Sequence, residues 1–230
     1  MRVLLTNDDG IDAPGLQALI EAIPDDLETF VVAPLRPMSE CGHRVTTRAP
    51  LAVEKRGPER FAVDGTPADC VRVALTRLME DRPDVIFSGI NSGGNLGVDV
   101  FISGTVAAVR EGVFHEVPGI ALSHHLRDGR RLDWEWASRC AVQVIGEWRE
   151  AAENRAGYWN VNLPHLKETS GPAPERVFCE PSRHPLPVAF REDEDGRLIY
   201  CGKYNRRQGE ERSDVAECFR GKIAITRFSR

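Results

Sequence analysis

MRVLLTNDDGIDAPGLQALIEAIP, residues 1–24, sets the pattern from which the fold is read. Val3 to Leu5 is an apolar run of strand length that breaks into Asn7-Asp8-Asp9-Gly10. Leu16, Leu19, Ile20 and Ile23 then recur at i, i+3, i+4 and i+7, one apolar helix face that Pro24 terminates. Strand, polar turn and helix in that order form the repeating unit of a parallel sheet with crossover helices.

The unit recurs along the chain. Phe30 to Ala33 reads as a second buried strand. Thr66-Pro67-Ala68-Asp69 reads as a helix start, with Thr66 as cap, Pro67 at the first helical position and Asp69 as a partial stand-in for the Glu of a capping box. Val85 to Phe87 is the next strand, followed by a glycine-rich loop over 89–97 and a helix from about Thr105 to Glu111. Gly119 to Leu122 gives another strand. Asp133 caps a long helix whose Ala137, Cys140, Ala141, Val144, Ile145 and Trp148 face inward, and Trp159 to Leu163 closes the series. The expected fold is α/β, a Rossmann-like three-layer sandwich around a mostly parallel sheet spanning residues 1–163. The Pro-, Gly-, Ser- and Thr-rich stretch 164–175 marks a change of character. Residues 164–230, with β-like runs at Arg197–Cys201 and Lys222–Arg227, are expected to form an exposed β-rich extension with little helix, an oligomerisation arm.

The chain has 230 residues, near the upper end of single-domain size, and its 41% hydrophobic and 28% charged content is that of an ordinary globular protein. With 30 basic against 35 acidic residues it carries a formal charge of -5, which offers no positive field to a nucleic-acid backbone. Polymeric nucleic acid is therefore not an expected partner. Six cysteines lie far apart without a CxxC pair, which argues for buried free thiols rather than a zinc site. The N-terminal apolar run is too short for a signal peptide and no run approaches bilayer-spanning length, so the expected location is the cytoplasm, without a membrane partner.

Three segments carry chemistry. Asp8 and Asp9 follow the first strand, where open parallel sheets bind ligands, and two adjacent carboxylates repel unless a cation lies beside them. A solvated turn would use the same residues, and oxygen-only ligands favour Mg²⁺, Mn²⁺ or Ca²⁺ over zinc. Ser39 follows the second strand and emerges at the same sheet edge, as a turn serine or as a ligand. The run SGINSGGNLG at 88–97 has four glycines in the nine residues from Gly89, and Ser103-Gly104-Thr105 opens the next helix with unpaired N–H donors suited to phosphate. The loop lacks the Gly-Lys-Ser/Thr ending of a P-loop, no GxGxxG follows the first strand, and the serine sits one place late for a GxSxG elbow.

Taken together, NDDG at 7–10, the serine loop at 39, GTPADC at 65–70, SGINSGGNLG at 88–97, SGTVAAVREG at 103–112 and NVNLP at 160–164 resemble the SurE (survival protein E) family of metal-dependent 5′-nucleotidases. The tail at 213–228 resembles the family's closing segment more weakly. The resemblance implies a hydrolase, a phosphatase of nucleoside monophosphates. Asp8, Asp9, Ser39 and Asn91 would hold one divalent cation per subunit, Mg²⁺ or Mn²⁺. Asn95, Ser103, Gly104 and Thr105 would surround the substrate phosphate, with Asp8, Asp9 and Asn95 as the catalytic set. It further implies a homodimer or homotetramer with an exchanged C-terminal arm. Many members carry glycine directly after the metal-binding serine, where this chain has Glu40. His43 reads either as a solvated loop histidine or as an acid or base-contact group. Two alternatives remain: a broad phosphatase of short polyphosphate or sugar phosphates, which shares the same site, and a non-enzymatic metabolite-binding module of the same fold, which would need the anion contacts but not four metal ligands.

Overall fold

The computed structural model describes residues 1–127, 130–151 and 156–229. Among these, a nine-stranded sheet runs in the order β3-β4-β2-β1-β5-β6-β7-β11-β8. Its parallel centre comprises β1 (Arg2–Thr6), β2 (Glu28–Pro34), β4 (Arg60–Val63), β5 (Val85–Ser92), β6 (Gly119–His124) and β7 (Gly157–Leu163). The strands read from the sequence are all present, one to five residues longer than their runs except at Arg197–Cys201, where the strand covers only Leu198–Tyr200. Edge strand β3 (Val53–Gly57) pairs antiparallel with β4, and its Val-Glu-Lys-Arg-Gly sequence is polar enough to have passed for loop.

Alternate residues of each strand face opposite layers. Val3, Leu5, Phe87, Ile120 and Leu122 pack with α1 (Pro14–Glu21) and α4 (Trp134–Glu150). Leu4, Ile86 and Ala121 pack with α2 (Pro67–Val73) and α3 (Gly104–Phe114). The three-layer α/β expectation therefore holds. Asp69 completes the α2 capping box: Thr66 Oγ1 accepts from Asp69 N at 3.2 Å and Asp69 Oδ2 accepts from Thr66 N at 3.0 Å, so the shorter acid suffices.

The C-terminal segment departs from its expected exposure. β11 (Ile223–Ser229) lies inside the sheet, antiparallel to β7 and parallel to β8 (Arg176–Phe178), and Ile223, Ala224 and Ile225 are fully buried. Helix α5 (Asp214–Phe219), capped by Ser213, packs beside it. The expected boundary at residue 163 thus falls within the sheet. The portion that stands away from it is the hairpin of β9 (Phe190–Glu192) and β10 (Leu198–Tyr200), which forms a separate two-stranded sheet. Of the cysteines, Cys70, Cys140 and Cys218 are buried, Cys41 and Cys179 half-buried and Cys201 exposed, all as free thiols. No helix among the described residues is long and apolar enough to cross a membrane.

Sheet order reverses at β1: β2 lies on one side and β5 on the other, and the crevice beyond their carboxyl ends is the natural ligand position. Gly15, at the start of α1, is what lets that helix approach the crevice, because a Cβ there would sit 1.9 Å from Ile90 O of β5. Gly15→Ala is expected to destabilise the fold by about 1–3 kcal/mol or more through overpacking, read as a lower urea midpoint at unchanged m-value.

Candidate active site

Asn7 ties the first turn. Its Nδ2 donates to Gly10 O at 2.8 Å, its Oδ1 accepts from Gly10 N at 3.2 Å, and Gly10 takes φ 105°, which favours glycine. The knot holds Asp8 and Asp9 at the end of β1. Asp8 is buried, and its Oδ1 accepts from the Thr105 hydroxyl at 2.6 Å. The Thr105 backbone N–H also bonds this carboxylate. Burial nevertheless pushes Asp8 up to about 6, against those two bonds, and the Asp9 charge adds to the rise. Asp9 is raised as well, by burial, with the Ser92 N–H opposing at 2.9 Å from Oδ2.

The other candidate residues reach the same edge by backbone contacts. Met38 N donates to Asp8 O at 2.8 Å, and Gly42 N donates to Ile102 O at 3.0 Å, so the exposed Ser39 lies between two anchored points. Glu40, next to Ser39, has φ 58°, a conformation that glycine adopts more readily. Asn91 stands beside Ser92, across β5 from Ser123, and its Nδ2 donates to Gly93 O at 2.9 Å, which turns its amide hydrogens to the loop. Ser103 caps α3 by accepting from Val106 N at 3.1 Å. Gly104 packs against Asp8, where a Cβ would meet Asp8 Cβ at 2.9 Å and Oδ2 at 3.0 Å. Helix α3 therefore aims its positive end at the acidic pair.

Asn95 is buried and fastened on all sides. Its N–H donates to Asn162 Oδ1 at 2.8 Å, and its carbonyl accepts from Asn160 Nδ2 at 2.8 Å and Asn162 Nδ2 at 3.1 Å. Its own Nδ2 donates to Ser123 Oγ at 2.8 Å. Asn160 and Asn162 were visible only as part of NVNLP. The available signal was their spacing of two in a buried strand, since two amides on one buried face must find partners.

A second set of fastenings comes from the C-terminal segment and was not legible in sequence. Gly97 N donates to Asp214 Oδ2 at 2.6 Å, and Asp214 Oδ1 accepts from Ser182 N at 2.8 Å. The Tyr204 hydroxyl lies 3.0 Å from Gly94 O and 2.7 Å from Asp99 Oδ2, which is also paired with Arg207.

The donor set suits a hard divalent cation. Asp8, Asp9, Ser39 and Asn91 offer oxygen alone, and among the described residues neither carboxylate is paired with a Lys or Arg. Two poorly compensated acids, one of them buried, have their repulsion relieved by a cation. The described residues contain no cluster of three or more His, Cys, Asp or Glu side chains in metal-holding positions, so this set depends on its hydroxyl and amide members.

Comparison with known proteins identifies the family. The family profile described as Survival protein SurE matches residues 3–181. The chain belongs to the SurE family. It is 47% identical over 231 residues to a putative 5′-nucleotidase of Nostoc sp., covering 99% of each chain. It is also 45% identical over 166 residues to the 5′-nucleotidase SurE 1 of Burkholderia lata, covering 71% of this chain and 64% of that one. Among solved structures it resembles the SurE protein from Aquifex aeolicus, with a TM-score of 0.82 at 33% identity, covering 100% of this chain and 93% of that one.

The raised Asp8 gives a stability test. Its native pKa near 6 exceeds the 3.8 of an unfolded aspartate, so the native state binds the proton more tightly. Stability from this group is present below about pH 4 and is lost as pH rises to about 6, a change of about 3 kcal/mol. Asp8→Asn removes this dependence. In EDTA the variant is expected to gain about 3 kcal/mol relative to the parent between pH 4 and pH 7, measured by urea unfolding at each pH.

Proposed function

We propose that this SurE-family chain hydrolyses nucleoside 5′-monophosphates to nucleoside and phosphate, using one Mg²⁺ or Mn²⁺ per subunit held by Asp8, Asp9, Ser39 and Asn91. The observation that carries the proposal is the opposition of two carboxylates, without a Lys or Arg partner among the described residues, to the N-terminus of α3 at the sheet's switch point. The named activity of its relatives supports the choice of substrate.

A bound cation would supply Lewis-acid polarisation of the phosphoryl group and a more acidic water. The chain's own donors then act on the remaining oxygens. An amide carries two N–H donors, and Asn95 gives one to Ser123, which leaves the other for phosphate. Ser103 accepts from Val106 with an oxygen lone pair and keeps its hydroxyl hydrogen to donate. Gly104, at the first position of α3, has an N–H that the helix itself does not use. Thr105 serves the anion less directly, because its hydroxyl and N–H hold Asp8. These donors are fixed before substrate arrives, and preorganised donors stabilise developing charge without reorganisation. Asp8 or Asp9 orients the attacking water and takes up its one proton as the new P–O bond forms, the bond to the nucleoside oxygen breaks, and that oxygen leaves protonated from solvent.

The β9–β10 hairpin supports assembly into a homodimer or homotetramer. It pairs only with itself in the sheet, and Val188, Phe190, Leu198 and Tyr200 are all at least half exposed. A lone two-stranded ribbon is marginal in water, so this arm gains from covering its apolar side chains on another subunit. The six free thiols fit a cytoplasmic setting.

Phosphate release from a panel of nucleoside monophosphates, short polyphosphate and sugar phosphates tests the substrate class. The expected result is Mn²⁺-dependent release from nucleotides, abolished by EDTA, restored by added metal and lost in Asp8→Asn. Preference for polyphosphate or sugar phosphates would transfer the assignment to the broader phosphatase, and no release from any compound would leave a binding module. For assembly, the double substitution Phe190→Glu and Leu198→Glu is expected to shift the species seen by light scattering to the monomer, and an unchanged mass would refute the arm.

A further inference from the structure

His43 lies outside the ligand sets above, yet both of its ring nitrogens are engaged. Nε2 is 2.7 Å from Glu111 Oε2, and Arg110 Nε donates to Nδ1 at 2.9 Å. A guanidinium can only donate, so Nδ1 is bare and the ring proton sits on Nε2, pointing at the carboxylate. Phe114 stacks on the ring with centroids 5.5 Å apart and planes 6° from parallel. One imidazole is thus gripped by three side chains of α3.

The grip has a fixed base. Glu111 is buried and accepts from Arg72 Nε of α2 at 2.7 Å, with His115 Nε2 at 3.2 Å. Burial opposes its charge, but bonds from His43 and Arg72 outweigh it and hold the carboxyl down to about 2. Arg110 also donates from Nη1 to Val100 O at 3.1 Å, in the turn that leads to Ser103.

The loop that carries His43, between Pro34 and Val53, has no regular structure of its own. Ser39 is held on one side by the Met38 bond to Asp8 O and on the other by the Gly42 bond to Ile102 O and by His43. We infer that His43 is a positioning residue, clamped between Glu111 and Arg110, that fixes Ser39 in register with the N-terminus of α3 and so sets the cation and phosphate positions relative to each other. The inference rests on the assignment of Ser39 as a cation ligand.

The test compares His43→Phe, which keeps the ring stack and loses both bonds, with His43→Gln, which can donate to Glu111 and accept from Arg110. Binding of Mn²⁺ to the metal-free protein is followed by the electron paramagnetic resonance signal of the free ion, beside kcat and KM for a nucleoside monophosphate. His43→Phe is expected to weaken Mn²⁺ binding roughly tenfold, the scale of a lost partner behind a ligand, while His43→Gln stays within about twofold of the parent. Unchanged Mn²⁺ affinity in His43→Phe, or equal losses in both variants, would overturn the inference. Should His43→Phe fail to fold, Arg110→Gln, which removes the guanidinium behind Nδ1, is read by the same signal: weakened binding supports the clamp and parental affinity refutes it. Asp9→Asn separates this from the underlying assignment, because parental Mn²⁺ affinity in that variant would defeat the cation site itself.

Discussion

The constraint on which this molecule turns is the burial of Asp8. A carboxylate taken from water is costly unless its charge is met by donors or by an opposite charge, and here the nearest donors belong to Thr105 at the head of α3. Those bonds do not offset the burial, as its proton affinity near neutrality shows. Much of the surrounding architecture follows from this deficit. Asn7 knots the turn so that Asp8 cannot swing outward, Gly104 lets the helix end come within contact distance, and Asp9 is drawn into the same crevice by the Ser92 N–H. The buried carboxylate is thereby left with an unmet demand for positive charge.

Opposite electrostatics govern the neighbouring cluster. Glu111 is as little exposed to solvent as Asp8, yet His43, Arg72 and His115 surround it and its carboxyl stays ionised far into acid. Two buried acids on either side of one loop thus play different parts. The one with cationic partners is a fastening, and the one without them holds its proton more tightly. The contrast follows from both depth and partners: Asp8 lies deeper in the protein and has only the Thr105 donors, whereas Glu111 lies nearer the surface among His43, Arg72 and His115.

Period and punctuation made the centre of the sheet readable. Val3–Leu5, Val85–Phe87 and Gly119–Leu122 are short apolar runs followed by turn chemistry, and α4 carries an inward face over 17 residues. Asp8 and Asp9 were legible for the same reason, since they follow a strand whose end is predictable, whereas Ser39 stands five residues beyond β2 and Asn91 within β5, so both needed the family resemblance. β11 was not legible, because Ile-Ala-Ile flanked by Lys222 and Arg227 reads equally as an exposed edge, and only its pairing with β7, more than 60 residues earlier, buries it. The partners of Asn95 were hidden by the same long-range closure. A sequence names the side chains, but which amide meets which carbonyl depends on sheet order, and the Asp214 bond to Gly97 spans 117 residues.

That last bond bears on how the protein is made. Gly94, Gly97 and Asp99 in the glycine-rich loop are secured by Tyr204, Arg207 and Asp214, and the strand that holds α5 in place runs to Ser229. Synthesis proceeds from the N-terminus, so the loop lacks these restraints while the chain is still emerging from the ribosome. The nascent polypeptide therefore carries its acidic turn and its helix start well before the residues that brace the glycine-rich loop have been made, and the crevice matures only once Tyr204, Arg207 and Asp214 have folded onto it.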